Sequence, residues 1–452
     1  MLFNSEIYLF GFLPLVVIFY FKIASLKDKN LKKLFLIFSG IIFYSWWNIS
    51  FLPIIIFSIL FNYFAAKYIK KTLDENKKRL FLIISISFNI LLLVIFKYLD
   101  FIIENINFLL YSNFEKLDIP FPLAISFITF QTIAFLIDVY DDDCNDFNFV
   151  NYTLFIIFFP QLIAGPIVKF QYMISQFNDS SKNKFIFQNF NLGLIILFIG
   201  FLKKVLLADN LGVFVDAGYQ NADNLNFIEA WITTLSFTFQ FYFDFSGYID
   251  MATGSALMLN LRLPVNFDSP FKATSVINFW RRWHITLSNF LTNYIYLTWA
   301  TSVKKMNFFK NSLIVLIVFL ISGLWHGPSW LFVIFGALHG IGIIVNNLNK
   351  EYLKLDFGIT TNQILTFLYI NFTLIFFRSE NIFKSYEIIL SMVGLNKNSI
   401  QFNLSNFIGE MNVENNYKIF IFVLLIISIV VCFAFNNNNS LIEKYFKDNL
   451  KS

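Results

Sequence analysis

The chain has 452 residues, 57% of them hydrophobic and only 14% charged, with a formal net charge of +5. A soluble domain carries about 25% charged residues and cannot cover this much apolar surface, which excludes a water-soluble globular protein. The charge is too small for a nucleic-acid footprint, and two distant cysteines, Cys144 and Cys432, indicate neither a disulfide framework nor a metal site.

Apolar runs near the ~20 residues that cross a bilayer as a helix recur along the chain. They are continuous rather than alternating, which argues against a barrel. The expected fold is an all-α polytopic membrane protein with about 10–12 transmembrane or re-entrant helices. One integral membrane domain is expected over 1–452, with a motif-bearing core over 120–380.

The first run, 7–21, is preceded only by Glu6. A cleavable signal wants a basic start and a small-residue cleavage site, so this run is read as the first span. Lys22, Lys27, Lys29, Lys32 and Lys33 follow it. Spans 34–49 and 51–66 come next, then Lys67, Lys70, Lys71, Lys77, Lys78 and Arg79. Both lysine groups are expected on the cytoplasmic side, with the N-terminus outside. After span 80–97 the acidic loop from Asp100 to Pro120 falls outside. Span 121–138 leads to Asp141, Asp142 and Asp143, which the count puts inside. We read this triplet as a loop cap in preference to a metal site. Spans 152–168, 190–208, 227–243, 312–324, 330–347, 361–377 and 417–435 complete the set. The run Asn436–Asn439 is assigned no role.

A basic stretch, Lys272 to Lys305, interrupts the apolar runs. Its core, INFWRRWHITLSNFLTNYIYL, is too polar to span easily and too aromatic for a free loop. Two or three short helices at or dipping below the cytoplasmic interface are expected. Trp280, Trp283, Tyr294 and Tyr296 suit an interfacial belt, and Arg281 and Arg282 suit lipid or substrate phosphates.

Chemistry centres on SGLWHGPSW, within the uncharged stretch between Lys310 and Lys350. A continuous helix over 311–349 would be about 58 Å long, nearly twice a bilayer core. The stretch must break, and Gly327-Pro328 is the natural place. Broken backbone at membrane depth survives only when buried in protein or lining a cavity. His326 at the break is therefore a functional candidate, a neutral imidazole able to take a proton; the alternative is a core histidine tying two helices together. His284 in WRRWHITLS either donates a hydrogen bond to a carbonyl, helps bind a phosphate, or has no role. His339, 13 residues beyond His326, lies about 20 Å away if the helix is straight and is read as structural.

Other polar interruptions are Asp244, Ser246, Gly247 and Asp250 in FQFYFDFSGYIDMATGSALML, the breaks of FFPQLIAGPI, and Ser126, Thr129, Gln131 and Thr132 in PLAISFITFQTIAFLIDVY. Carboxylates there are costly unless they face a cavity or each other. Four such segments in one chain point to a shared internal tunnel. No Walker, HExxH or GxSxG motif is present. An activated thioester needs no enzyme nucleophile, only a base, an oxyanion donor and exclusion of water.

Taken together, MLFNSEIYLFGFLPL, PLAISFITFQTIAFLIDVY, FFPQLIAGPI, FYFDFSGYIDMATG, FWRRWHITLSNFL, GLWHGPSWLFVIFGALHG and FFRSEN resemble the membrane-bound O-acyltransferase (MBOAT) family. They run in family order across most of residues 1–380. The resemblance implies a helical core around a tunnel that carries acyl groups across the membrane. It maps the family's invariant histidine onto His326 and its second motif histidine onto His284. Trp325, Asp244, Ser246, Gln161, Gln131, Trp280, Arg281 and Arg282 are the substrate- or tunnel-lining candidates, with no metal. The implied activity is O-acetylation of a cell-wall or exported polysaccharide, such as peptidoglycan or an alginate-like polymer. PQLIAGPI reads differently in the D-alanyl-transfer branch, so acetyl is favoured; D-alanyl transfer and a non-catalytic acyl-carrier transporter are the alternatives. No bound cofactor is expected; acetyl-CoA is the implied donor substrate. The implied partners are membrane lipid and a periplasmic or membrane-anchored acetyltransferase, with no nucleic acid. The implied location is the bacterial cytoplasmic (inner) membrane. Nothing is carried over onto the last 70 residues, which match more loosely.

Overall fold

The computed structural model describes residues 1–26, 29–144, 146–396, 415–435, 437–438, 442–443 and 445; Lys27, Asn436 and Asn439 lie outside them. The described secondary structure is helical. Among the described residues, seven helices are long and apolar enough to cross a membrane: Ile7–Ala24, Ile49–Lys71, Glu75–Leu110, Phe187–Gln220, Phe308–His326, Trp330–Leu353 and Ile359–Arg378. Ile125–Tyr140 and Phe420–Ala434 are apolar but shorter. The chain is a multi-pass membrane protein. The chain packs as two compact units, one of residues 1–198 with 248–264 and one of residues 199–247 with 265–452.

In the first unit, small residues let backbones approach. A Cβ on Gly254 would meet the Gly193 carbonyl oxygen at 2.5 Å, and one on Gly193 would meet the Gly254 oxygen at 2.6 Å. Asn62 and Asn89 exchange amide hydrogen bonds of 3.1 and 2.7 Å between buried helix faces. Tyr8 donates to Ser255 at 2.7 Å. Lys32 and Lys33, expected in a loop, lie in the first turn of Lys29–Ser45 and are buried. Neutral amides make that burial tolerable: Lys33 donates to Asn151 at 2.8 Å and Asn178 at 2.6 Å, and Lys32 donates to Asn183. The acidic triplet meets the second lysine group, with Asp142 bridging Lys70 at 2.9 Å and Lys78 at 3.3 Å. Hydrogen bonds from those two lysines hold the Asp142 carboxyl below its ordinary range.

The span expected over 152–168 does not form. The chain makes Phe149–Ile157 and then the short Phe159–Leu162, with Phe158 extended at φ −60°, ψ 108°. Pro160 and Pro166 lack the donors a continuous helix would need. Gln161 is fully buried at this break, and its amide donates to the Phe155 carbonyl at 2.6 Å. Gln131 is buried in Ile125–Tyr140 of the same unit.

In the second unit, Phe308–His326 and Trp330–Leu353 form an antiparallel hairpin. Asn307 caps the first helix by accepting from the Lys310 N–H at 2.9 Å. That helix ends at His326, Gly327 is extended, and Ser329 caps the next helix through the Leu331 N–H at 3.2 Å. A Cβ on Gly336 would sit 2.2 Å from the Phe319 oxygen and one on Gly323 2.2 Å from the Phe332 oxygen. These two glycines allow the tight pairing that places residues of both helices around the turn.

Candidate active site

Glycine at position 327 leaves room for an aromatic ring: a Cβ there would meet the Phe332 ring at 2.3 Å. That ring joins three others around His326, which is half-buried at the end of its helix. Centroid separations from the imidazole are 5.1 Å to Trp325, 5.7 Å to Phe335, 6.4 Å to Phe332 and 5.1 Å to Phe377. Phe377 comes from the C-terminal end of Ile359–Arg378 and also packs on Phe241 at 4.7 Å. The next residue, Arg378, binds Asp216 at 2.6 Å and lies over the Tyr219 ring. FFRSEN thus delivers one ring to His326 and one cation to a neighbouring helix.

His284 stands one ring from His326, since Trp325 touches both, at 6.2 Å on the His284 side. It is 2% exposed and packs on Phe245 at 4.9 Å. Its backbone is left-handed, φ 42° and ψ 53°, immediately before the helix Ile285–Phe290. A non-glycine residue held there costs about 1–3 kcal/mol and persists only when its surroundings over-determine it. They do: Ile285 N–H donates to the Asn266 carbonyl at 2.9 Å, and Asp268 N–H donates to the Arg282 carbonyl at 2.9 Å. The Asn266 side-chain oxygen accepts from the Thr286 N–H at 3.1 Å and the Thr286 hydroxyl at 2.8 Å, and lies 3.2 Å from His284 Nδ1.

An atom that accepts from a backbone N–H is the amide oxygen, so Asn266 cannot donate to the imidazole. Facing that oxygen, Nδ1 can bond only as a donor, so the contact fits the tautomer with the proton on Nδ1 and the lone pair on Nε2. His284 lies outside the membrane-spanning helices. Burial first, then the charge on His326, pushes its imidazole down to about 3. A neutral ring with this tautomer has no N–H at Nε2 to give to a carbonyl oxygen or a phosphate.

His339 is nearer to His326 than a straight helix allows, because the hairpin folds its helix back. Phe335 touches both rings, at 4.5 Å on the His339 side. Its two nitrogens are engaged: the Trp280 indole N–H donates to Nδ1 at 3.1 Å, and Nε2 faces the Thr373 hydroxyl at 3.1 Å. Thr373 in turn donates to the Ile370 carbonyl. His339 is a bracket joining three elements.

The basic stretch corrects two expectations. Trp280 and Trp283 are 6% and 7% exposed, not interfacial. Indoles bury when their N–H finds a partner, as Trp280 does in His339, or when rings enclose them, as Phe241, Phe267 and Phe279 enclose Trp283. Arg282 is held by Asn278 at 3.2 Å and Asp268 at 3.5 Å, whereas Arg281 is exposed. Asp244 pairs with Lys204 at 2.7 Å, and Lys204 also holds Asp209 at 2.8 Å. Its compensation is a lysine on another helix, in a π-helical stretch, not Asp250. Ser246 is buried beside Gly247, where a Cβ would meet the Gly200 oxygen at 2.7 Å. Among the described residues no histidine, cysteine and carboxylate cluster could hold a metal ion. A cavity of about 580 Å³ lies elsewhere in this unit, bounded by Leu202, Lys203, Tyr242, Phe243, Val431 and Cys432; none of the three histidines lines it.

One buried and one half-buried histidine, His284 and His326, thus share an aromatic setting beside a helix break. The model of the membrane-bound O-acyltransferase family matches residues 142–386, which include all three histidines. The chain belongs to that family and is an acyltransferase. It is 39% identical to a peptidoglycan O-acetyltransferase of Helicobacter pylori over 100% of this chain and 92% of that protein. It is 32% identical to a probable alginate O-acetylase, AlgI, of Azotobacter vinelandii, over 87% of this chain and 78% of that one. A teichoic acid D-alanyltransferase of Streptococcus thermophilus is 25% identical over 50% of this chain and 56% of its own length.

Asn266, Phe332, Phe335, Phe377 and Arg378 had no functional role from sequence. The GLWHGPSWLFVIFGALHG stretch contains Phe332 and Phe335, and FFRSEN contains Phe377 and Arg378. Asn266 gives no local signal, since its partner lies 18 residues away.

Proposed function

We propose that this chain moves acetyl groups from cytoplasmic acetyl-CoA across the bacterial inner membrane for O-acetylation of a cell-wall or exported polysaccharide. Peptidoglycan is the first acceptor to test, given the full-length similarity to a peptidoglycan O-acetyltransferase. His326 is the general base. It takes the proton of the incoming hydroxyl as that oxygen attacks the thioester carbonyl carbon. The tetrahedral intermediate then expels the thiolate, which recovers the proton from the imidazolium and leaves as free thiol. The exposed Arg281 is the cation available to the donor's phosphates, because Arg282 is already paired. A periplasmic or membrane-anchored transferase receives the acetyl group for final placement on polymer. The N-terminus faces the periplasm.

The observation that carries the proposal is the placement of His326 at the helix break, walled by four aromatic rings with His284 beyond one of them. Rings exclude water from around the imidazole. Purified protein given acetyl-CoA and a soluble glycan acceptor should release CoA. His326→Ala should lower that release about 10²–10⁴-fold while membrane insertion and protein level stay normal. Undiminished release in the variant would overturn the proposal.

A further inference from the structure

We infer that Asn266 is a positioning residue that sets the tautomer of His284, so that the ring presents the Nε2 lone pair to the site. Three hydrogen-bonding groups converge on one amide oxygen: the Thr286 N–H, the Thr286 hydroxyl and His284 Nδ1. The Thr286 N–H, which can only donate, fixes which atom of the amide is oxygen, and that oxygen sets the ring proton at Nδ1. The left-handed backbone at His284 is the strain accepted to reach this arrangement. Isolated imidazoles have no such constraint, and His339 in the same unit takes the opposite form. Its Nδ1 accepts from Trp280, so its proton sits on Nε2.

The functional half of this inference rests on the acyl-transfer proposal above. Within it, an acceptor at His284 orients or deprotonates a donor such as the incoming hydroxyl, whereas a donor there would bind an oxyanion. Few charges compete for the ring. His326 lies across Trp325, the Asp268–Arg282 pair lies at the rim, and Asp244, next to the ring-packing Phe245, is held by Lys204.

The test uses the whole protein in detergent with ¹⁵N-labelled histidine. Three histidines in the sequence make assignment possible by single substitution. His284 should show a protonated Nδ1 and an unprotonated Nε2, and His339 the reverse. Asn266→Leu should return His284 to Nε2–H and lower kcat for CoA release by about 10²-fold or more, with KM for acetyl-CoA little changed. Should Asn266→Leu fail to fold, Asn266→Asp decides. It keeps the acceptor, retains the Nδ1–H form, and by its charge raises the pH at which the His284 ring takes a second proton, read in the ¹⁵N spectrum. A wild-type His284 with its proton on Nε2, or an Asn266→Asp protein whose His284 carries its proton on Nε2, would overturn the inference. The spectra report the tautomer whether or not acetyl is transferred, so loss of the acyl-transfer proposal shows separately, in His326→Ala.

Discussion

His326, His284 and His339 share one residue type and differ in what their nitrogens can still do. His339 spends both of its nitrogens on Trp280 and Thr373. His339→Leu should therefore act through stability. It strands the Trp280 N–H and lowers the unfolding free energy by about 1–3 kcal/mol, read as a lower thermal midpoint in detergent. Turnover per folded molecule should stay within a few-fold, and an activity loss as deep as that of His326→Ala with an unchanged midpoint would contradict the bracket role. For His284, a folded-state value pushed down to about 3 means the ring is neutral from acid to alkaline pH. Ordinary histidine titrates near 6.5, so any break in the wild-type rate profile close to neutrality should survive in His284→Gln and belong to another group. Sequence alone marked His326 by its place beside Gly327-Pro328. It left the role of His284 open, because a tautomer depends on an asparagine that only the fold brings to it.

At the scale of elements, the hairpin Phe308–His326 and Trp330–Leu353 depends on Gly323 and Gly336, where backbones touch with no room for a methyl. Gly336→Ala should push the helices apart. Overpacking of this kind costs about 1–3 kcal/mol, visible in thermal unfolding, and should also lower turnover because Phe335 walls His326. Full stability and turnover would show that the hairpin tolerates a wider spacing. The break itself was legible, since length and Gly-Pro chemistry both demanded it. The span expected over 152–168 was not, since hydropathy registers apolar residues and not the donors that Pro160 and Pro166 remove.

At the scale of the molecule, the helix Glu75–Leu110 runs unbroken between two exposed positions, Leu73 at 96% and Tyr111 at 95% exposure. In the proposed orientation the lysine group around the first, tied to Asp142, faces the cytoplasm, as the positive-inside rule expects. A cysteine at Tyr111 should react with an impermeant maleimide in spheroplasts, and one at Leu73 only after the membrane is opened. Native Cys144 and Cys432 are buried and leave a low background. The reverse pattern would invert the proposed orientation.

What the sequence determined by itself was the medium, the helical class, the break at His326 and the family. Each follows from composition, run length or a contiguous motif, which are local quantities. Only the tertiary structure decided that Trp280 and Trp283 are core residues, that Asp244 leans on Lys204, and that Phe377 and Asn266 belong to the histidine site. Those facts are pairings between residues far apart in the chain, chosen by which buried polar groups and rings find partners once the helices pack.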